Sequence, residues 1–195
     1  MPWPRDHKQE TRQRIVEAAA SAFREHGIEQ TTVAEIMQQA GLTHGGFYAH
    51  FQSKDELVAE AVKYASEQVS KIFDSPNTKH PLLEVSGAYL SVPHMAHPER
   101  GCPVAALATE LNRGGQKVRN VVSRELQARL EKLFLRTPPD ETLEIRRRQA
   151  AGVLACMVGG QILARALNSN EAAQFLADCQ GFLDEALAKS KTSTE

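Results

Sequence analysis

The chain lacks a large net charge of either sign. Its 195 residues carry 23 Lys and Arg against 24 Asp and Glu. That balance gives no whole-molecule attraction for a polyanion, so any nucleic-acid surface must be local. Cysteine is scarce. Cys102, Cys156 and Cys179 are odd in number, far apart and set in apolar helical stretches. They argue against a disulfide framework, they offer no CxxC spacing for zinc, and reduced cytoplasmic thiols are the expectation. No apolar run approaches the length of a membrane span. The opening residues 1–8 are polar and lack an apolar stretch, so no signal peptide is expected. Alternating strand patterns are missing. So are the GxSxG, P-loop, HExxH and dinucleotide fingerprints. No residue therefore receives a catalytic role, and no cofactor is expected.

What remains is helical period. Ile15, Ala19, Ala22 and Phe23 share one face. Gly27 is placed to end that helix in the left-handed conformation, with Ile28 folding back on Phe23. Thr32-Val-Ala-Glu35 is a capping box that starts a second helix near Val33. Gly41 stops it, and Thr43 is an N-cap for a short third helix ending near Phe51. Ser53-Lys-Asp-Glu56 is another capping box and opens a long fourth helix. After a break at 75–81, the pattern predicts a helix over 82–93, a loop over 94–101 and a short helix over 103–111. A turn at 112–115 follows, then a long helix marked by Val118, Val122, Leu126, Leu130 and Leu133. Thr137-Pro-Pro-Asp140 breaks it. Two last helices are expected over 141–167 and 170–189. The fold class is all-α. Residues 1–52 form a three-helix domain, with the helix from 53 as connector to a larger helical domain over 53–189. Residues 190–195 are expected to be a disordered tail.

The most informative segment is IMQQAGLTHGGFYAHFQSKDEL, residues 36–57. Helix, glycine turn, short helix and capped long helix make the helix-turn-helix order that sets one helix in a DNA major groove. From Gly41 to Gln52 there is no Asp or Glu. The polar groups there are Thr43, His44, Tyr48 and His50, all able to donate to phosphate. Gly45 and Gly46 would let the backbone approach a duplex closely. Lys54, in the first turn of the fourth helix, could pair with a phosphate. Tyr48 fits equally a packing ring with its hydroxyl outward. Residues 1–55 hold six Lys and Arg against seven Asp and Glu. The domain is thus not basic overall, and reliance on paired binding is expected. The arm from Arg5 to Lys8 is expected to fray, with the minor groove as its alternative target.

These residues resemble the DNA-binding domain of the TetR family. The matching pieces are Ile15, Ala18-Ala19, Phe23 and Gly27, then Thr32-Val33, Ile36 and Ala40-Gly41-Leu42-Thr43. Gly46-Phe47-Tyr48, His50-Phe51, Ser53-Lys54 and Leu57 complete them. The resemblance runs from Thr11 to Leu57. It implies that Thr43, His44, Gly46, Tyr48, His50 and Lys54 lie on or beside DNA, that Thr32 reaches phosphate, and that Phe47 and Phe51 pack. Ala49 departs from the polar or basic residue common there. The resemblance also implies an all-α ligand-binding domain whose last two helices make a four-helix dimer interface.

The sequence supports that second domain in its own terms. The helix over 141–167 mixes Ala150, Ala151, Gly152, Ala155, Gly159 and Gly160 with larger apolar residues, a pattern that permits close helix contact. The expected interface residues are Val153, Met157, Gln161, Phe175, Cys179 and Phe182. Ordinary core is their alternative role. Candidate effector contacts are Tyr89, His94, Met95, Cys102, Phe134, Met157 and Gln161, polar or soft groups in apolar company. Cys102 opens a helix between Gly and Pro, so it is either a sensing thiol or a small buried residue. His94, His97 and Cys102 make too weak a set for a metal site, and none is assigned. Arg146-Arg147-Arg148 reads as a solvated patch. The expectation is a cytoplasmic homodimer that represses transcription from a pseudo-palindromic operator on double-stranded DNA and releases it on binding a small molecule. A transcriptional activator, a DNA-linked structural factor without an effector, and a helical enzyme are the rivals. No membrane partner is expected.

Overall fold

The computed structural model describes residues 5–74 and 80–189, with side chains from His7 to Ala188. Most of the break expected at 75–81, and the tail from 190, lie outside the described residues. Among the described residues every regular element is helical. The chain forms two compact units, one of residues up to Gln68 with Pro98–Glu125, the other of Val69–His97 with the chain from Leu126 onward.

In the first unit, helix α1 spans Arg5–His26 and α2 spans Val33–Gln39. The arm at 5–8 is thus the first turn of α1 and not a frayed strand; Thr11 donates back to the His7 carbonyl at 2.8 Å. Helix α3 covers Lys54–Ser70, the fourth helical stretch along the sequence, and a 3-10 turn follows at Lys71–Asp74. Ile15, Ala19, Phe23, Ile36, Met37, Phe47, Phe51, Leu57 and Val58 make its core. Leu107, Leu111 and Val118 join that core from later in the chain, so the unit is completed by residues beyond the first fifty-odd.

In the second unit, the helix expected over 82–93 is divided. Helix α4 covers Pro81–Tyr89, and α5 covers Val92–Ala96 with Pro93 in its first turn. Pro93 has no N–H to donate to the Tyr89 carbonyl, so the first helix ends there. Gln161 Nε2 donates to that carbonyl at 2.6 Å, and His94 Nδ1 lies 2.7 Å from it. A 3-10 turn at Pro98–Arg100 then precedes α6, Pro103–Leu111, in the first unit. Helix α7 spans Gln116–Phe134. Helices α8, Leu143–Ala164, and α9, Ser169–Lys189, pack together, with α4 and α5 against both.

Local chemistry fixes the first unit's turns. Thr32 Oγ1 accepts from the Glu35 N–H at 3.2 Å, and the Glu35 carboxylate accepts from the Thr32 N–H at 2.7 Å. Both halves of the capping box are present. At α3 the box is modified: Ser53 Oγ accepts from Glu56 N–H, but the Glu56 carboxylate reaches one residue further, to Gln52 N–H. Gly27 has φ +88°, its N–H donating to Phe23 at 2.8 Å. A Cβ at Gly27 would also sit 2.9 Å from the Glu110 carboxylate. Gly27→Ala is therefore expected to lower the unfolding free energy by about 1–2 kcal/mol, from left-handed strain plus that contact. Urea titration with an unchanged slope measures it. A loss under about 0.5 kcal/mol, the level of an indifferent surface change, would show that the turn relaxes freely.

Candidate nucleic-acid interface

The short third helix is a 3-10 helix, His44–Ala49. Its bonds run from Gly46 N–H to the Thr43 carbonyl at 3.0 Å and from His50 N–H to the Phe47 carbonyl at 2.9 Å. Thr43 is extended in the N-cap position but makes no side-chain cap bond. Six residues with two glycines cannot hold a helix by local propensity. Two rings hold it instead. Phe47 and Phe51 are both fully buried and stack with centroids 5.6 Å apart.

Between those anchors the other side chains turn outward. Thr43, His44, Gly45, Tyr48 and Ala49 are exposed, as is Thr32, while Gly46 and His50 are half-buried. Tyr48 is 73% exposed and touches Phe47 edge-on at 5.2 Å. Its whole ring projects from the surface, so the reading with the ring packed inward gives way. Nothing would meet a Cβ at Gly45, so no internal packing demands glycine there. Thr43, His44, Gly45, Gly46, Tyr48 and His50 thus lie along one acid-free stretch, while Thr32, exposed at the start of α2, bonds Glu35.

The supports of this surface are residues that sequence spacing did not single out. Arg12 on α1 donates to the His50 carbonyl and to Glu60, and to Glu56 at 3.3 Å. Its guanidinium also lies 3.9 Å over the Phe51 ring. Arg14 donates to the Ala40 carbonyl at the end of α2. Lys54 donates to the Ile28 carbonyl, so it tethers the α1–α2 turn in addition to standing near the surface. Glu110 accepts from the Glu29 N–H at 2.9 Å on the same turn. Arg24, buried, bonds the Ala20 and Gly101 carbonyls, and burial lowers its pKa to about 10. Its Arg-X-X-X spacing on a helix face carries no sequence signal for such a role.

Charge is set locally as well. Burial lowers the His50 pKa from its ordinary 6.5, and the cations of Lys8 and Arg12 lower it further. The Gln52 N–H bond holds Glu56 below the usual carboxylate range, helped by Lys117 at 3.8 Å and Arg12.

The remaining expected site residues divide between the units. Tyr89, His94, Met95 and Gln161 come together in the second unit. The Tyr89 and His94 rings meet edge-on at 4.4 Å, and Arg165 donates to the His94 and Met95 carbonyls. Burial lowers the His94 pKa, opposed by the Tyr89 carbonyl bond and aided by Arg165 and Arg129. Met157 and Gln161 are fully buried one turn apart on α8. Phe134 lies apart, its ring 4.2 Å beneath the Arg146 guanidinium. Arg146 is therefore engaged and not simply solvated. Cys102 is fully buried in the first unit, at the N-cap of α6. The second unit also has a cleft of about 200 Å³ lined by Pro81, Leu83, Arg136, Pro138, Gln149 and Leu187 among others. It involves none of the seven expected effector residues. Val153, Met157 and Gln161 point into the protomer's own core, at 1%, 0% and 0% exposure, whereas Phe182 is 65% exposed. Phe175 and Cys179 are half-buried. Among the described residues, no group of three or more potential metal ligands occurs, and no helix is long and apolar enough to cross a membrane.

Comparison with known proteins agrees with this geometry. The family model for bacterial regulatory proteins of the tetR family matches residues 15–61. The chain is 48% identical over 54 residues to the HTH-type transcriptional regulator TtgR of Pseudomonas putida, covering 28% of this chain and 26% of that one. It is 36% identical over 83 residues to the HTH-type transcriptional repressor BepR of Brucella suis, covering 40% and 39%. The chain thus spans well under half the length of these curated relatives. A solved TetR transcriptional regulator from Chloroflexus aurantiacus is similar over 94% of this chain and 96% of its own, at 28% identity and a TM-score of 0.76. Residues 15–61 thus match the DNA-binding segment of the tetR family of bacterial regulatory proteins, and the fold along nearly the whole length is similar to that of a solved TetR regulator.

Proposed function

We propose that this protein is a DNA-binding transcriptional repressor that reads a pseudo-palindromic operator as a homodimer and releases it when a small molecule binds its second unit. The observation that carries the reading is the exposed, acid-free stretch from Thr43 to His50, mounted on buried Phe47 and Phe51. It offers hydroxyls, imidazoles and bare backbone to phosphate and to base edges. Thr32, Thr43, His44, Gly45, Gly46, Tyr48, His50 and Lys54 make up the contact set. The naming of the Brucella suis relative as a repressor supports the sign of regulation. Such a protein works in the cytoplasm, where its DNA is.

The dimer face follows from exposure. Ala151, Gly152, Ala155 and Ile162 lie outward on α8, and Phe182 outward on α9. A Cβ at Gly152 or Gly159 would meet nothing, which leaves room for a close-packed helix from a second copy. Two readers on one axis match two half-sites. The interface thus uses the face of α8 opposite Val153, Met157 and Gln161.

Selection of bound genomic fragments would supply the operator. On it, Tyr48→Ala is expected to weaken binding about tenfold on every sequence, the scale of one charge-assisted hydrogen bond. His44→Ala is expected to change the preference between operators. Unchanged affinity and salt slope in Tyr48→Ala would remove Tyr48 from the contact set. Phe182→Asp is expected to give a folded monomer by light scattering, with operator affinity reduced at least tenfold through lost avidity. A dimer that survives would move the interface elsewhere.

Proton uptake gives a further check. Phosphate raises the pKa of a facing imidazole, so binding takes up protons and tightens as pH falls. Free His50 already titrates below its ordinary 6.5. Its share of the tightening therefore continues to a pH below 6.5 and is absent from His50→Gln. The free protein moves the opposite way. With the folded pKa below the unfolded one, stability falls as pH drops through 6.5 and levels off below the folded value. A flat affinity from pH 7 to 5 would exclude His50 from the phosphate contacts.

A further inference from the structure

We infer that Cys156 on α8 and Cys179 on α9 form a peroxide-oxidisable dithiol, a modification site that can link the two helices within one protomer. Both cysteines are free and half-buried, and Cys156 Sγ lies 3.7 Å from the Cys179 carbonyl. Gly160, one turn after Cys156, provides the space. A Cβ there would stand 3.5 Å from Cys179 Sγ and 3.8 Å from its Cβ. A disulfide needs Cβ atoms about 3.5–4.5 Å apart, and the linked-peptide test below reads whether the two helices allow it. Cys102 is a contrast within the same chain, fully buried in the first unit.

The order of events follows from the surroundings. Burial and the neighbouring Cys179 push the Cys156 thiol up to about 11, so it stays protonated at neutral pH. In the proposed order Cys179 is the attacking thiol and Cys156 the resolving one. Its thiolate attacks the peroxide O–O bond, takes one oxygen as sulfenic acid and releases an alcohol or water. Cys156 then attacks that sulfur, the S–S bond forms, and the oxygen leaves as water. In sum two thiols lose two electrons and two protons, and one peroxide is reduced.

The site is independent of the DNA reading and is tested on the full-length protein. Native protein is treated with hydrogen peroxide, unfolded, alkylated without reductant and digested with trypsin. The expected product is a linked pair of peptides containing Cys156 and Cys179, two hydrogens lighter than the separate peptides, with Cys102 alkylated in full. Cys156→Ser is expected to stop at a Cys179 sulfenic acid that dimedone traps. The oxidised wild-type protein should melt above the reduced one, a shift absent from Cys179→Ser, because a cross-link constrains the unfolded chain. A disulfide between protomers, Cys179 over-oxidised without a link, or both thiols still alkylated after peroxide would each overturn the assignment.

Discussion

A six-residue turn with two glycines has no means of keeping its own shape, and everything this surface offers depends on what clamps its ends. Phe47 and Phe51 anchor it from within the core. Arg12 then closes the far end, bonding the His50 carbonyl while lying over the Phe51 ring and joining Glu56 and Glu60. A single guanidinium thus satisfies a carbonyl at the end of a 3-10 helix, covers an aromatic face and neutralises two acids near the surface. The fork geometry of arginine permits all three, and a lysine could not reproduce it. Because Arg12 is occupied in this way, its charge serves the position of the surface and not direct attraction to phosphate.

Charge in this unit is arranged by exclusion more than by accumulation. Several acids of this unit are committed to contacts away from the stretch from Gly41 to Gln52. Glu35 closes the cap of α2, Glu56 caps α3 and pairs with Arg12 and Lys117, and Glu110 holds the Glu29 N–H. A carboxylate held by backbone N–H groups contributes to helix ends without facing the duplex. Arg12, Arg14, Arg24 and Lys54 are each engaged by carbonyls or carboxylates within the unit.

The parts of the fold set by local chemistry were legible in the sequence. Thr32 with Glu35, the left-handed Gly27 and the bounds of α6 at Pro103 and Leu111 each rest on contacts within a few residues. The parts set by distant contacts were not. Arg12 and the His50 carbonyl are 38 residues apart. Glu110 and Glu29 are 81 apart. Helix α8 is apolar around most of its circumference, so its period could not say which stripe faces inward; Val153, Met157 and Gln161 lie on the buried one. The wide separation of Cys156 and Cys179 hid their proximity for the same reason.

Gln161 carries one such distant contact. A glutamine among alanines, glycines and methionine on a helix suggests a ligand contact or a polar spot on an interface. Its Nε2 also meets a carbonyl, that of Tyr89, which the proline at 93 cannot serve. Pro93 cannot donate to Tyr89, so a carbonyl would be left bare inside the protein at the end of α4. A fully buried amide on α8 supplies the donor at 2.6 Å. An apolar residue of similar size at 161 would fill the volume and leave that carbonyl to His94 alone. The pairing ties the break between α4 and α5 to the middle of α8. A proline in one helix and a glutamine in another are therefore a single structural feature, and neither can be understood from its own stretch of sequence.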